Sequence, residues 1–434
     1  MREIYHAATI INPQADLSCN VIEDGALVVE NGLITSVGKY NDLDDKTNTI
    51  ELGQNIIMPG MVDTHVHLPQ YPIIARYGYT LLEWLNKFTF PAERQFTPER
   101  ASALAPVFFR ELKRNGTTTA AVYSTVNKES TDIAFQEAEK AGIRAIIGKV
   151  MMNQNSPDYL IETTDNSLQD SIDLCQKWNG QANGKLMFAF TPRFAPTCSK
   201  ELMEKTAIAA KQYGAYIQTH LSENEGEIEW VKQLFPWAAN YTDVYDNVGL
   251  LGPKTILGHG IYLSPQELQV LEERGCSIAH CPVSNLDLQS GLFPMGEVHD
   301  AGVPIGLATD VGGGHNISMF RVMEKAIDMQ TALSFSEPKK AKKITPENAI
   351  SMATLGGAKA LGLDRQIGNF EQGKKADFVV MNMGRVISEN SAAGLGLAKG
   401  KDLLSQIVFQ ADDRVIDRTV VDGVTVYQYQ EPGS

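Results

Sequence analysis

The sequence predicts an α/β protein: a (β/α)8 TIM-like barrel carrying a small β-sandwich built from both chain ends. Three observations lead there. In the middle of the chain, short β-rich runs alternate with helix-length amphipathic segments, and eight such runs can be drawn. The two ends lack the helical period and read as β alone. Five of the eight histidines fall at the ends of the drawn strands, the face of a barrel where chemistry is gathered.

Residues 1–57 form the N-terminal part of the β unit. Ala26–Glu30 and Leu33–Val37 flank Asn31-Gly32, a pair that tolerates positive φ and therefore marks a tight hairpin. The barrel spans 58–365, with strands expected at 56–64, 117–124, 143–151, 186–192, 215–221, 255–259, 276–280 and 303–309. Helices over Pro98–Asn115, Ser130–Ala141, Lys200–Tyr213 and Ser264–Arg274 fill the intervals. Thr97, Ser130, Ser199 and Ser264 serve as expected caps, with Gly116, Gly142, Gly214 and Gly275 as stops. A doubly wound open sheet is the alternative, but it carries a glycine-rich phosphate loop after its first strand. This chain has two histidines there. Residues 366–434 return to β character, with Ala376–Met381 as one run and Arg418–Tyr427, broken by Asp422-Gly423, as a hairpin. Neither end has enough strands to stand alone, so the two are expected to pair.

Composition narrows the function. The chain has 434 residues, net charge −14, 43% apolar and 21% charged residues, the profile of an enzyme with a small substrate. Nucleic-acid binding is not expected, because the one basic run, Lys339-Lys340-Ala341-Lys342-Lys343, reads as a solvated connection between helices. Membrane insertion is not expected, since no apolar run reaches about 18 residues. Met1–Ala8 is charged and lacks a signal-peptide core, which points to the cytoplasm. Five irregularly spaced cysteines without a C-x-x-C are expected to be reduced thiols.

The stretch Pro59-Gly60-Met61-Val62-Asp63-Thr64-His65-Val66-His67 is an apolar strand ending in two histidines, and the whole run from Ile56 to Val62 suits an inner barrel strand. Two residues apart on a strand, His65 and His67 face the same way and can share one ion. Other strand ends add His220 with Glu223 three residues on, His259, His280 and Asp310. Three imidazoles and a carboxylate, His65, His67, His220 and Asp310, suit one Zn2+ or Fe2+, and such an ion brings bound water near a pKa of about 7. Asp310 could also accept a proton, Glu223 could carry one to a leaving group, and His259 could polarise a substrate or orient the nucleophile. His6, His299 and His315 read as structural. His280 is open between lining the site and anchoring its loop.

The first-strand motif resembles that of the amidohydrolase superfamily, and nearly the whole chain resembles its guanine deaminase family. The likeness rests on His67-Leu68-Pro69-Gln70-Tyr71, Leu82-Glu83-Trp84-Leu85, Phe90-Pro91-Ala92-Glu93, Thr191-Pro192-Arg193-Phe194, His220-Leu221-Ser222-Glu223-Asn224, Ile278-Ala279-His280-Cys281-Pro282 and Thr309-Asp310-Val311-Gly312-Gly313-Gly314. The resemblance implies hydrolysis of guanine to xanthine and ammonia. It implies one ion per chain on His65, His67, His220 and Asp310, proton transfer by Glu223, and a purine held by Gln70, Arg193, Phe194 and Trp84 beside His220. A homodimer is implied as well. Arg193, at the end of the fourth expected strand, offers planar donors that suit the O6 and N7 acceptors of guanine and not a 6-amino group. The rival readings are a related deaminase or chlorohydrolase acting on another aminated heterocycle, a metal-free scaffold, and the smaller zinc deaminase fold. That last fold needs H-x-E and P-C-x-x-C motifs, and the chain has neither.

Overall fold

In the computed structural model, which describes residues 2–387 and 398–430, the chain opens with a long hairpin. Strands β1 (Arg2–Pro13) and β2 (Cys19–Glu30) pair antiparallel along most of their length. β3 (Leu33–Lys39) follows through Asn31-Gly32, with φ of 52° and 79° as the expected turn requires. β4 (Thr49–Glu51) and β5 (Ile56–Pro59) then run parallel to β1.

The run 56–64, expected as a single inner barrel strand, is divided. Ile56–Pro59 belongs to the terminal sheet, and β6 (Met61–His67) opens the barrel. The break falls at Gly60, whose N–H donates to Asp377 O in the C-terminal part of the chain. A Cβ there would lie 2.1 Å from Thr118 Oγ1, so only glycine allows the crossing. Both pieces are buried on all sides, and their common apolar character hides the boundary.

β7 (Thr117–Tyr123), β8 (Arg144–Gly148), β10 (Leu186–Pro192), β11 (Tyr216–Leu221), β12 (Thr255–His259), β13 (Ser277–His280) and β14 (Ile305–Leu307) follow β6 as parallel neighbours in chain order, and the short β9 (Val150–Met151) adds to β10. Where the eighth barrel strand returns to the first, side chains and single backbone bonds replace a regular ladder. Thr64 Oγ1 donates to Leu307 O at 3.0 Å, and Thr309 donates through Oγ1 and N to Asp63 at 2.5 and 3.0 Å. Asp310 N bonds His65 O, and His67 N bonds Val311 O. This seam brings the ends of the first and eighth strands together.

The connecting helices follow their caps. Thr97, Ser199 and Ser264 cap Pro98–Arg114, Lys200–Tyr213 and Pro265–Arg274, and Gly214 and Gly275 end the last two in the left-handed region. The helix expected from Ser130 begins instead at Lys128. Asn127 is its cap and accepts from Ser130 N, while Ser130 Oγ turns away to Phe96 O. Asn and Ser cap equally well, and the tertiary bond decides between them. The lysine run 339–343 joins helices Met319–Ser336 and Pro346–Ser351 largely at the surface.

β15 (Phe378–Met381) pairs antiparallel with β5, and β16 (Ile416–Val421) and β17 (Val424–Gln428) complete a sheet of order β17-β16-β15-β5-β1-β2-β3, with β4 beside β1. The sheet curls on itself. The Tyr5 ring meets Phe378 edge-on at 4.9 Å, and Gly32 lies so close to Asp422 that a Cβ would approach its carbonyl oxygen to 2.5 Å. Ile10, Leu27, Ile57, Phe378 and Val420 form the enclosed core. Arg144, 1% exposed at the start of β8, bonds Asp377 and Asp422 and so ties the barrel to this sheet.

Candidate active site

Strand ends at the seam and across the barrel deliver the polar groups. His65 and His67 lie on the same face of β6, and Asp310 arrives three residues after β14. His65 Nε2, His67 Nε2 and Asp310 Oδ1 lie 3.1–3.2 Å from one another. His65 and His67 also offer ring nitrogens within 4.8 Å of one from His220. Burial holds these imidazoles neutral: His67 is pushed down to about 3, and His65 and His220 are lowered as well. Burial opposes ionisation of Asp310 too, but its bonds to His65 and His67 outweigh that and hold the carboxylate well below the usual range.

The donor set fits a divalent ion. His220 Nδ1 donates to Arg193 O at 2.7 Å, which leaves Nε2 as a lone pair for the cluster. Neutral imidazole lone pairs and a carboxylate oxygen thus converge in a dry place with too few protons between them to satisfy all. Positive charge is what they lack. Glycine makes room for the arrangement, since a Cβ at Gly258 would stand 2.9 Å from His65 Cε1.

His259 and Glu223 stand beside this cluster. His259 Nδ1 donates to Asn285 Oδ1 at 2.9 Å, so its Nε2 faces Glu223 Oε2 at 3.3 Å and Asp310 Oδ2 at 3.8 Å. Burial, and then the Asp310 charge, push the Glu223 carboxyl up to about 8. The Glu223 carboxyl therefore keeps a proton at neutral pH. Ser290 Oγ donates to Glu223 Oε1 at 3.0 Å. Ser222, His259 and Asp310 all have left-handed φ, of 47°, 71° and 45°, conformations that cost such residues about 1–3 kcal/mol and gather where a site imposes them.

One pocket takes in His67, His220, Glu223, His259 and Asp310 together with Gln70, Trp84, Arg193 and Phe194. The structure thus brings the expected substrate residues to the expected chemical ones. Its free space is about 30 Å3, and Leu81, Leu85 and Leu288 supply apolar walls. A larger groove of 690 Å3 reaches Glu93 and Thr125 from outside, but none of the histidines line it.

Several contributors escaped sequence reasoning. Glu93, buried on Phe90–Arg94, accepts from Arg193 Nη1 at 2.5 Å and Gln70 Nε2 at 3.5 Å. A carboxylate among Phe90, Pro91 and Ala92 was the available signal. Glu227, pushed up to about 7 by burial and by Glu223, accepts from the Glu223 and Asn224 amides and from Tyr241. The Asn224-x-x-Glu227 spacing announces it as a capping box. Asn285 and Ser290 carried no local signal, because their partners lie 26 and 67 residues away.

The other histidines lie elsewhere. His280, fully buried, stacks on Phe293 at 4.4 Å and does not line the pocket. His315 bonds Asp287, His6 lies between Asp24 and Glu51, and His299 is beside Asp300 at the surface.

Residues 56–426 match the sequence profile of the amidohydrolase family. The chain is 40% identical over 432 residues to the guanine deaminase of Escherichia coli K12, covering 97% of this chain and 95% of that one. It superposes on the E. coli guanine deaminase structure with a TM-score of 0.92 at 37% identity, covering 99% and 100% of the two chains. The guanine deaminase of C. acetobutylicum, solved with guanine in its active site, gives a TM-score of 0.92 at 32% identity, covering 98% and 100%.

Proposed function

The chain belongs to the amidohydrolase family, alongside its guanine deaminases, and from that premise we propose how its residues remove the 2-amino group of guanine. The reaction is hydrolysis of guanine to xanthine and ammonia. The observation that carries the residue roles is a single pocket lined both by the histidine and carboxylate cluster and by Gln70, Arg193 and Phe194.

His65, His67 and His220, whose ring nitrogens lie within 4.8 Å of one another, and Asp310, whose Oδ1 is 3.2 Å from His65 and from His67, would hold one Zn2+ per chain, although Fe2+ suits the same donors. When bound, the ion supplies the acidity that makes water nucleophilic near neutral pH. Asp310, kept ionised, takes a proton as water oxygen attacks C2. Glu223, loaded with a proton, gives it to ring N3; now ionised, it takes the hydroxyl proton at C2 and passes it to the amine, so that C2=O forms as the C2–N bond breaks and ammonia leaves, and the proton held by Asp310 then restores Glu223. His259, pinned by Asn285, stands 3.3 Å from Glu223 Oε2 and orients that transfer. Arg193 donates to the 6-oxo acceptor, Gln70 bonds the ring edge, and Phe194 and Trp84 supply apolar walls.

The rest of the reading is a cytoplasmic homodimer that acts in purine breakdown and salvage. All five cysteines are free, which suits a reducing compartment, and no helix among the described residues is long and apolar enough to cross a membrane. The test is a screen of purified protein against guanine, adenine, cytosine and their nucleosides, read as ammonia release. Guanine alone should react strongly. In Arg193→Ala, the ratio of kcat/KM for guanine to that for a purine lacking the 6-oxo group should collapse while metal content stays intact. An unchanged ratio would mean that the 6-oxo group is read elsewhere.

A further inference from the structure

We infer that Glu93 sets the hydrogen-bond polarity with which this pocket reads a purine edge, by fixing which end of Gln70 and which donors of Arg193 face the substrate. The inference rests on the guanine reading above and deepens it. Glu93 is 2% exposed, and one of its oxygens, Oε1, receives both Arg193 Nη1 at 2.5 Å and Gln70 Nε2 at 3.5 Å. The side chains of Glu93 and Arg193 are 0% and 3% exposed, so water does not substitute for this contact.

A carboxylate oxygen accepts hydrogen bonds and does not donate them. Next to it, Gln70 must present its amide nitrogen, because the reverse orientation would set two oxygens against each other. The carbonyl end, Gln70 Oε1, is then the end left for the pocket, and it has no protein partner among the described residues. Arg193 has donors only, and Glu93 claims Nη1. The residues Glu93 ties together thus present an acceptor, close to the chemical cluster because Gln70 follows His67 by three residues, and a set of donors from Arg193.

Guanine shows the complement of that pair. Its N1–H is a donor adjacent to the scissile C2 position, and O6 is an acceptor next to N1. 2,6-Diaminopurine keeps the same 2-amino group but reverses the pattern, with an acceptor at N1 and a donor at position 6. Sites built around such bonds reject the wrong partner by up to about 10⁴–10⁵-fold, because buried polar groups are left unpaired. Glu93 does not itself line the pocket; it bonds two residues that do, and so acts through them as a positioning residue.

The experiment compares guanine with 2,6-diaminopurine, by kcat/KM, in the parent enzyme, Glu93→Gln and Glu93→Asp, with metal content and thermal unfolding measured in parallel. In Glu93→Gln the neighbouring group can donate as well as accept, so Gln70 is free to turn. The guanine-to-diaminopurine ratio should fall about tenfold or more, with metal content unchanged. Glu93→Asp keeps an acceptor of shorter reach and should keep the ratio within a few-fold, its loss appearing mainly in KM. Equal losses on both substrates in Glu93→Gln, or a collapse of the ratio in Glu93→Asp as large as that in Glu93→Gln, would overturn the inference. Should Glu93→Gln not fold, Gln70→Leu serves in its place: removing the acceptor must collapse the ratio, and an unchanged ratio overturns the inference. A parent enzyme inactive on guanine would instead defeat the functional reading itself.

Discussion

Replacing Glu223 with glutamine removes one proton and little else. The side chain is 3% exposed, Oε1 accepts from Ser290 Oγ at 3.0 Å, and Oε2 faces His259 Nε2 at 3.3 Å. An amide keeps the first bond through its oxygen and can donate to His259 through its nitrogen, so shape, packing and the neighbouring ion site survive. What is lost is a carboxyl that burial and the Asp310 charge raise to about 8, and that is therefore mostly protonated at neutral pH. General acid–base groups contribute about 10²–10⁴-fold, so kcat should fall by that factor, or about 3–5 kcal/mol of barrier. The sign of the pH dependence follows. The acid form is complete below the raised pKa and is lost as pH climbs through about 8, so the parent's alkaline limb should be missing from the variant. Xanthine formation gives kcat, and elemental analysis confirms that the ion is retained. A Glu223→Gln enzyme with normal metal content and more than about a tenth of parental kcat would remove Glu223 from the proton path.

Removing the ion with a chelator should abolish guanine turnover and lower Tm, because binding to the native state stabilises it by mass action; protein shown to be metal-free that turns over normally would refute this. Gly258→Ala places a Cβ 2.9 Å from His65 Cε1 and should weaken metal affinity by about 10–100-fold, the usual effect of disturbing what orients a ligand, as measured by competition with a chromogenic chelator. Arg144→Met leaves Asp377, 3% exposed, without its cation. Loss of one partner from a buried pair costs about 3–5 kcal/mol, which a denaturant titration should show as an earlier midpoint, with activity at 25 °C nearly intact.

The site residues that were legible in the sequence share a geometric reason. His65, His67, His220 and His259 lie at the ends of barrel strands and Asp310 follows the last of them by three residues, at places that the order of strands and helices and the flanking glycines mark locally, and a barrel collects strand ends on one face. What was hidden depends on contacts between distant segments. Glu93 matters only because Arg193 lies 100 residues on, and Asn285 only because it fixes the ring of His259. The division of 56–64 into two strands of different sheets was hidden for a related reason. Ile56, Ile57, Val62 and Val66 are all fully buried, and a run buried on every side carries no period to mark where one core ends and the next begins. At Ser130, two equally good caps stood three residues apart, and the bond from Ser130 to Phe96 O settled the choice.

The place of Ile56–Pro59 between β1 and β15 bears on how the protein is made. Pro59 and its partner Phe378 are separated by 378 − 59 = 319 residues. At translation rates of about 5–20 residues per second, the ribosome needs roughly 15–60 s to cover that distance. Throughout that interval Ile56, Ile57 and Met58, 0–1% exposed in the finished protein, present an apolar strand with one open hydrogen-bonding edge, the kind of surface that recruits other chains. The barrel strands can pair in the order in which they emerge, but the sheet at the ends cannot. The edge therefore stays open even after the last barrel strand, Ile305–Leu307, has emerged, and slowing synthesis between that strand and Phe378 lengthens the exposure without altering a single residue of the site.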